Sequence, residues 1–383
     1  MFSLFQSVSR VRYGRGAALC LPEEIRRLGG RRVGILLGRQ ALHSGRLAHL
    51  FSALAAAGIA ALPSDAPQTD PDPDCVARCG QWARENERDL LIGIGGGSVL
   101  DCTKAAALLA CHDGPIERYY GVDKVPGPCL PTILLPTTAG TGSEMTSNTV
   151  ISDTAVQRKV GVVSHYLYAR SVILDPELTR SLPSFQTAVT GLDALVHAVE
   201  SFVSRHATPF TDALNLQAMR MILGNIRRAV TDGQDMAARE QMLYGAALSG
   251  MAFSNTQNGI IHALGMSVPQ EHHLPHGLVM AIFAPAGLTF NAPFAREKFA
   301  RMAELFGSAP DNAPAEVKAA SVAEGFCALM RDLGITPGLA ANGLPAEELP
   351  GIARRGAAYD RLMDSNPCSA TAQELEALLR RFL

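Results

Sequence analysis

Apolar and polar positions change their period once along the chain, near residue 185. Before that point short apolar runs alternate with segments of helical spacing: RVGILLG at 32–38, a helix through RLAHLFSALAAAG, DLLIGIGGG at 89–97, a helix through SVLDCTKAAALLA, then PTILLPTT. Runs of strand length separated by helices predict βαβ units and a mainly parallel sheet. NTVISD and KVGVVS, around 148–164, predict a hairpin added to that sheet. Beyond residue 185 the strand signals stop and long amphipathic or buried helices follow, from TAVTGLDALVHAVESFVS to ELEALLRRFL. The expected plan is an α/β nucleotide-binding domain over 1–184 and an all-helical domain over 185–383, with the site in the cleft between them.

Composition narrows the class. A chain of 383 residues that is 47% hydrophobic can bury a large core, and a net charge of -2 gives no reason to expect a nucleic-acid partner. Its longest apolar stretches are broken by Gly, Pro or polar residues before the roughly 20 residues that a membrane span needs. The opening MFSLFQSVSRVRYGRG has no signal-peptide plan, so a cytoplasmic protein without a membrane partner is expected. Eight cysteines, at 20, 75, 79, 102, 111, 129, 327 and 368, form no CxxC pair and fit reduced structural thiols. Cys75 and Cys79 stand one helical turn apart.

Two glycine- and hydroxyl-rich segments carry the first candidate chemistry. In LLIGIGGGSVLDCTKAAA an apolar strand runs into Gly95, Gly96 and Gly97, and Ser98 then opens a helix. Bare backbone N–H groups and the helix dipole can face a pyrophosphate there, where side chains would block it. The segment is neither GxGxxG nor GxxxxGK[ST], so alone it also reads as a tight turn. PTTAGTGSEMTSNTV adds Thr137, Thr138, Thr141, Ser143 and Thr146 after another strand, and two such loops at the ends of parallel strands are what a cofactor crevice requires.

The second candidate lies in the helical half. Asp193 and His197, four residues apart in TGLDALVHAVESF, project from one face of one helix. With His262 and His276 they can offer one carboxylate oxygen and up to three imidazole nitrogens to one divalent ion. That donor set has intermediate softness, suited to Fe(II) or Zn(II) rather than Mg(II) or Ca(II).

GIGGGSVLDCTKAAA, PTTAGTGSEMTSNTVISD, ILDPELTRSLP, TAVTGLDALVHAVESFVS and IIHALGMSVPQEHHLPHG follow, in order and at matching intervals, motifs of the iron-containing (group III) alcohol dehydrogenases. The chain resembles that family from YGRG near its start to DSNPCSAT near its end. The resemblance implies a Rossmann-like N-terminal domain and a helical C-terminal domain, the dehydroquinate synthase-like fold. It implies interconversion of alcohols with aldehydes or ketones using NAD(P), with Fe(II) or sometimes Zn(II) bound between the domains, and a homodimer built through the N-terminal domain. Carried over residue by residue, it makes Asp193, His197, His262 and His276 the metal ligands. It places Gly96, Gly97 and Ser98 at the pyrophosphate and Asp101 near the nicotinamide side. Thr137, Thr138, Thr146 and Lys159 fall at phosphate, ribose or nicotinamide groups, and Leu178, in DPEL, against the nicotinamide end.

Two positions depart from the family pattern. Many relatives carry an acidic residue after the first strand, which binds the adenosine ribose and repels a 2'-phosphate; here RVGILLG ends in Gly38, followed by Arg39. Loss of the carboxylate and an adjacent Arg favour NADP(H), with NAD(H) the alternative, since Asp72 can still recognise a ribose from the neighbouring loop. Many members also carry a further His one turn after His262, where this chain has Met266. His272 and His273 are then the candidates for a proton relay. A polyol dehydrogenase, a dehydroquinate synthase, a maleylacetate reductase and a non-catalytic metal-binding scaffold are the alternatives on the same fold.

Overall fold

The computed structural model describes residues 4–66, 71–153, 155 and 158–383, in two compact units, Met1–Leu182 and Pro183–Leu383. Among the described residues of the first unit nine strands occur: β1 (Val11–Tyr13), β2 (Val33–Gly38), β3 (Ala61–Ala66), β4 (Leu90–Gly95), β5 (Gly121–Val122), β6 (Thr132–Pro136), β7 (Asn148–Asp153), β8 (Arg158–Val163) and β9 (Ser171–Leu174). Six of them form an all-parallel sheet in the order β1-β9-β6-β4-β2-β3. The inner strands VGILLG, LLIGIG and TILLP are buried almost throughout, as a parallel sheet covered on both faces demands. Pro63, which cannot donate to a ladder, lies in β3 at the sheet's edge. The covering helices are α1 (Leu21–Arg27), α2 (Arg39–His43), α3 (Ala48–Ala56), α4 (Pro73–Glu85) and α5 (Gly97–Cys111).

Register places the first candidate site. β4 and β6 pair in parallel with Gly95 opposite Pro136, so the glycine segment and the threonine segment leave adjacent strands side by side at their C-terminal ends. This is where open α/β sheets bind ligands.

The hairpin expected at 148–164 forms, but it does not extend the parallel sheet. β7 and β8 pair antiparallel from Asn148↔Val163 to Asp153↔Arg158, and β8 takes β5 on its other side to make a separate three-stranded sheet. Both flanks of β6 are already occupied by β4 and β9, and β1 and β3 form the sheet's edges. Cys75 and Cys79 of α4 meet Cys102 of α5, with their sulfurs within 4.8 Å of one another, inside an apolar cluster that includes Val76, Leu91 and Val99.

The second unit is helical: α6 (Ser184–Val203), α7 (Pro209–Thr231), α8 (Met236–Thr256), α9 (Ile260–Gly265), α10 (His276–Asn291), α11 (Arg296–Phe306), α12 (Ala315–Asp332), α13 (Leu349–Ala357), α14 (Asp360–Ser365) and α15 (Ala372–Arg380). Thr208 starts α7, and Thr371 starts α15, each with a reciprocal capping box. The segment 276–294 is long and apolar enough to cross a membrane, yet 78% of its most apolar window is buried inside the protein, which makes it a core helix. α6 is likewise buried almost all round and packs on α7, α8 and α10.

The approach of α10 to α6 depends on one glycine. A Cβ on Gly277 would stand 2.3 Å from the carbonyl oxygen of Val189 and 2.7 Å from its carbonyl carbon, and backbone cannot yield as a side-chain tip would. Gly277→Ala is therefore expected to destabilise the protein by about 1–3 kcal/mol, the usual range for overpacking, seen as a lower urea midpoint. An unchanged midpoint would show that the two helices separate without cost.

Candidate active site

On α6, Asp193, His197 and Glu200 fall at i, i+4 and i+7 and so share one stripe of the helix. All three are buried, with 2%, 4% and 2% of their surface exposed, in a helix whose other positions are mostly apolar. Ionisable groups placed so deeply require partners of opposite charge or a metal ion. The neighbouring helices supply the other members: His262 from α9 and His276 as the first residue of α10. Gly277 lets that helix start against α6, where the same added Cβ would lie 3.4 Å from Asp193 Cβ.

The four sequence-predicted ligands converge on one carboxylate oxygen. Asp193 Oδ1 lies 3.9 Å from His197 Nε2, 4.0 Å from His262 Nε2 and 3.8 Å from His276 Nε2. These separations are too long for hydrogen bonds. They are short enough for one ion bonded at roughly 2.0–2.2 Å to each donor. The ligand atoms of Asp193, His262 and His276 all lie within 4.8 Å of one another. The His197 ring is held by stacking, 4.4 Å from the Phe253 ring and 4.7 Å from that of His262.

His262 shows how the site is set. Its Nδ1 hydrogen-bonds Glu200 Oε2 at 2.5 Å, and Glu200 Oε1 also accepts from the backbone N–H of Ile261 at 2.6 Å and of His262 at 3.4 Å. The carboxylate fixes the Nδ1–H tautomer, so Nε2 presents its lone pair toward Asp193. That Nε2 is buried and has no hydrogen-bond partner among the described residues. A buried lone pair in this position suits a metal ion, and three imidazoles with one carboxylate suit Fe(II) or Zn(II).

In the N-terminal unit the structure brings the two loops together. Gly96 is the N-cap of α5 and supplies no capping side chain, which leaves first-turn N–H groups open. Thr137 N donates to Gly95 O at 2.9 Å, a Cβ on Gly96 would lie 3.3 Å from Thr138 Cγ2, and one on Gly97 would strike Thr141 at 2.6 Å. Gly95, Gly96, Gly97, Ser98, Thr137, Thr138 and Thr141 thus form one cradle.

Asp101 and Thr146 lie beneath that cradle rather than in it. Asp101 Oδ1 accepts from Ser143 Oγ at 2.5 Å, and its Oδ2 accepts from Val150 N at 3.1 Å. Lys104 Nζ, buried to 1%, pairs with Asp101 at 3.1 Å and donates to Ser143 O at 2.9 Å, Thr146 Oγ1 at 3.2 Å and Asn148 O. Burial lowers the Lys104 pKa while Asp101 raises it. Thr146 is 1% exposed, and its hydroxyl donates to Ser143 O, so it braces the loop. Burial pushes the carboxyl of neighbouring Glu144 up to about 7.

The remaining predicted residues scatter. Asp72 is the N-cap of α4, its Oδ1 accepting from Cys75 N at 2.6 Å. Gly38 ends β2 opposite Ala66, with open space where a Cβ would stand; the Arg39 side chain lies outside the described residues. Lys159 sits in β8 opposite Ser152, and Leu178 packs against the apolar cluster under the sheet. His272 Nε2 is held by Glu348 at 2.7 and 2.9 Å, while His273 is an exposed turn residue at φ 51, so neither joins the side chains gathered on Asp193. Met266 caps α9, its N–H bonded to His262 O. Sequence reasoning missed Glu200, Phe253 and Lys104. Glu200 and Lys104 each had a signal, a charge on a mostly apolar helix three or seven residues after an aspartate.

Comparisons with known proteins agree with this geometry. Residues 8–176 match the model of the iron-containing alcohol dehydrogenases, and 187–383 match that of the C-terminal region of the Fe-containing alcohol dehydrogenase family. The sulfoacetaldehyde reductase of Bilophila wadsworthia is 44% identical over 97% of this chain and 97% of its own length. The crystal structure of a 1,3-propanediol oxidoreductase superposes with a TM-score of 0.96 at 31% identity, over 100% of both chains. The sulfoacetaldehyde reductase of Bifidobacterium kashiwanohense, solved in complex with NAD+, superposes with a TM-score of 0.85 at 26% identity, over 100% of this chain and 99% of its own. With three imidazoles gathered on Asp193 and both halves matched, the chain belongs to the iron-containing alcohol dehydrogenase family and is an oxidoreductase acting between alcohols and aldehydes.

Proposed function

We propose that this protein reduces a short sulfonated aldehyde to its alcohol, with hydride from NAD(P)H and a proton from the medium. The observation that carries the chemistry is the convergence of three imidazole nitrogens on Asp193 Oδ1 with the His262 tautomer fixed by Glu200. The substrate class rests on the 44% identity with the Bilophila enzyme.

Asp193, His197, His262 and His276 would hold Fe(II), with Zn(II) as the alternative, and the ion when bound supplies Lewis acidity toward the substrate oxygen. A nicotinamide cofactor when bound supplies the hydride. The chain's own work is placement. Gly96, Gly97 and Ser98 offer backbone N–H groups at the start of α5 to a pyrophosphate, and Thr137, Thr138 and Thr141 line the same cradle with hydroxyls. Asp101, Lys104 and Thr146 hold that cradle in shape from beneath. His197 and His262 are fixed by ring stacking and by Glu200, so their nitrogens need no rearrangement. Met266 leaves an apolar group where a further imidazole is common, and the His272–Glu348 pair is the nearest equivalent proton carrier in sequence. A cytoplasmic homodimer completes the reading.

His262→Ala is expected to remove bound metal and activity together, by elemental analysis and a coupled assay on protein purified anaerobically; activity in a metal-free variant would sink the chemistry. Glu200→Gln keeps the size but not the charge of the group behind His262. Its metal affinity should fall about 10–100-fold, the usual effect of losing such a partner, in a chelator competition; unchanged affinity would mean that Glu200 only packs.

The cofactor question turns on the end of β2. Nothing acidic follows the strand, which favours NADP(H), whereas the Bifidobacterium relative was solved with NAD+. Gly38→Asp meets no steric obstacle. It should shift the ratio of kcat/KM values toward NADH by about tenfold or more, through repulsion of the 2'-phosphate. A ratio that does not move would show that this corner does not meet the adenosine ribose. For the reaction itself, sulfoacetaldehyde should exceed neutral aldehydes of similar length in kcat/KM by at least about tenfold, as one charge-assisted contact allows; parity would overturn the substrate class, and inactivity of metal-loaded protein on every aldehyde would overturn the enzyme.

A further inference from the structure

Among the described residues of the helical unit is a half-buried cation with no counter-ion within salt-bridge distance. Arg361, in α14, donates from Nη1 to the side-chain oxygen of Gln257 at 3.1 Å. Among the described residues no carboxylate lies within salt-bridge distance of its guanidinium, and burial is the main influence on its ionisation. A guanidinium stays charged under such conditions and is costly to bury without an anion.

Its location gives that charge a use. Gln257 ends α8, and its N–H donates at 2.8 Å to the carbonyl of Phe253, the residue whose ring stacks on His197. The strap 257–259 then leads directly into α9, which carries His262. α14 is fastened to this strap at both ends, by Arg361 to Gln257 and by Ser365 Oγ to Asn258 O. Gln257 is held at φ 64, a left-handed conformation that a non-glycine side chain resists and that persists only under such constraint. Asn258 Oδ1 is buried without a hydrogen-bond partner among the described residues. The strap from α8 into α9 therefore holds, among the described residues, a cation without an anion and an acceptor without a donor.

We infer that Arg361 is the anchor for the anionic end of the substrate, a specificity residue that binds the sulfonate while the aldehyde end lies at the ligand set. This rests on the substrate class proposed above. The guanidinium offers a planar fork of N–H donors to two sulfonate oxygens, a match that a lysine ammonium does not reproduce. Gln257 holds the fork by a neutral amide oxygen and so fixes the guanidinium without cancelling its charge.

The test is carried out on metal-loaded enzyme, comparing kcat/KM for sulfoacetaldehyde and for butanal in wild type, Arg361→Gln and Arg361→Lys. Arg361→Gln should lower the sulfonated-to-neutral ratio by about 10–100-fold, mainly through KM, as expected for a charge-assisted contact that is lost. Arg361→Lys should recover part of it. A ratio that survives in Arg361→Gln, or an equal loss on both substrates, would overturn the proposal and leave Arg361 as a brace of the strap. A wild type that prefers butanal would instead overturn the substrate class, and the anchor with it. Should the Gln variant not fold, the Lys variant decides: loss of the fork predicts a fall confined to the sulfonated substrate, and a fall on both substrates rejects the anchor.

Discussion

A carboxylate buried at Asp193 with three imidazole nitrogens within 4.0 Å is the constraint around which the helical unit is arranged. Desolvating such a group costs several kcal/mol, even after the surroundings relax. An ion shared among the four side chains, as proposed above, would offset that cost, and each packing detail nearby would serve the sharing. Gly277 lets α10 begin against α6, Phe253 flattens His197, and Glu200 turns the His262 ring. None of the three is a ligand. Each removes a degree of freedom that a ligand would otherwise have.

The N-terminal unit follows the same logic in two layers. The upper layer is backbone and small side chains, Gly95 to Ser98 with Thr137, Thr138 and Thr141, packed so closely that a methyl group on Gly97 has no room. The lower layer is the buried network of Asp101, Lys104, Ser143 and Thr146. Burial disfavours the ammonium of a lysine enclosed to this degree, and one carboxylate and three neutral oxygens around it offset that cost. Through Ser143 O and Asn148 O that single ammonium ties α5 to the loop after β6, and so sets the spacing of the upper layer.

The layers also explain what was legible beforehand. Strands β2, β4 and β6 were readable because both faces are buried and the sequence is continuously apolar. β3 was not, since an edge strand with Pro63 and polar residues has no such signature, and β5 is too short to have a period. The hairpin of β7 and β8 was visible as a pair, but its partner was a question of which sheet edges remained free. At the site, Asp193 and His197 could be paired by helical spacing, whereas Glu200 looked like any charged residue on a helix until its burial was known. Hydroxyls and carboxylates in loops read alike whether they line a candidate cradle, as Thr138 does, or cap and brace the chain, as Asp72 and Thr146 do.

The ligand set cannot by itself choose a substrate, because the same four donors suit any alcohol or aldehyde oxygen. Discrimination has to come from groups that meet the rest of the molecule. An apolar wall such as Met266 separates aldehydes differing by a methylene by only about 1–3 kcal/mol, whereas a buried polar group left unpaired by the wrong substrate separates them far more strongly. Among the described residues near these helices, Arg361 is a cation whose pairing is incomplete in that sense. Its attachment to Gln257, one turn from Phe253, also means that pairing the cation with a substrate anion and holding His197 in place would act on the same strap. Substrate charge and ligand geometry would then be coupled through α8's last turn, so that binding energy from the remote end of the substrate is used to hold the reacting end in position.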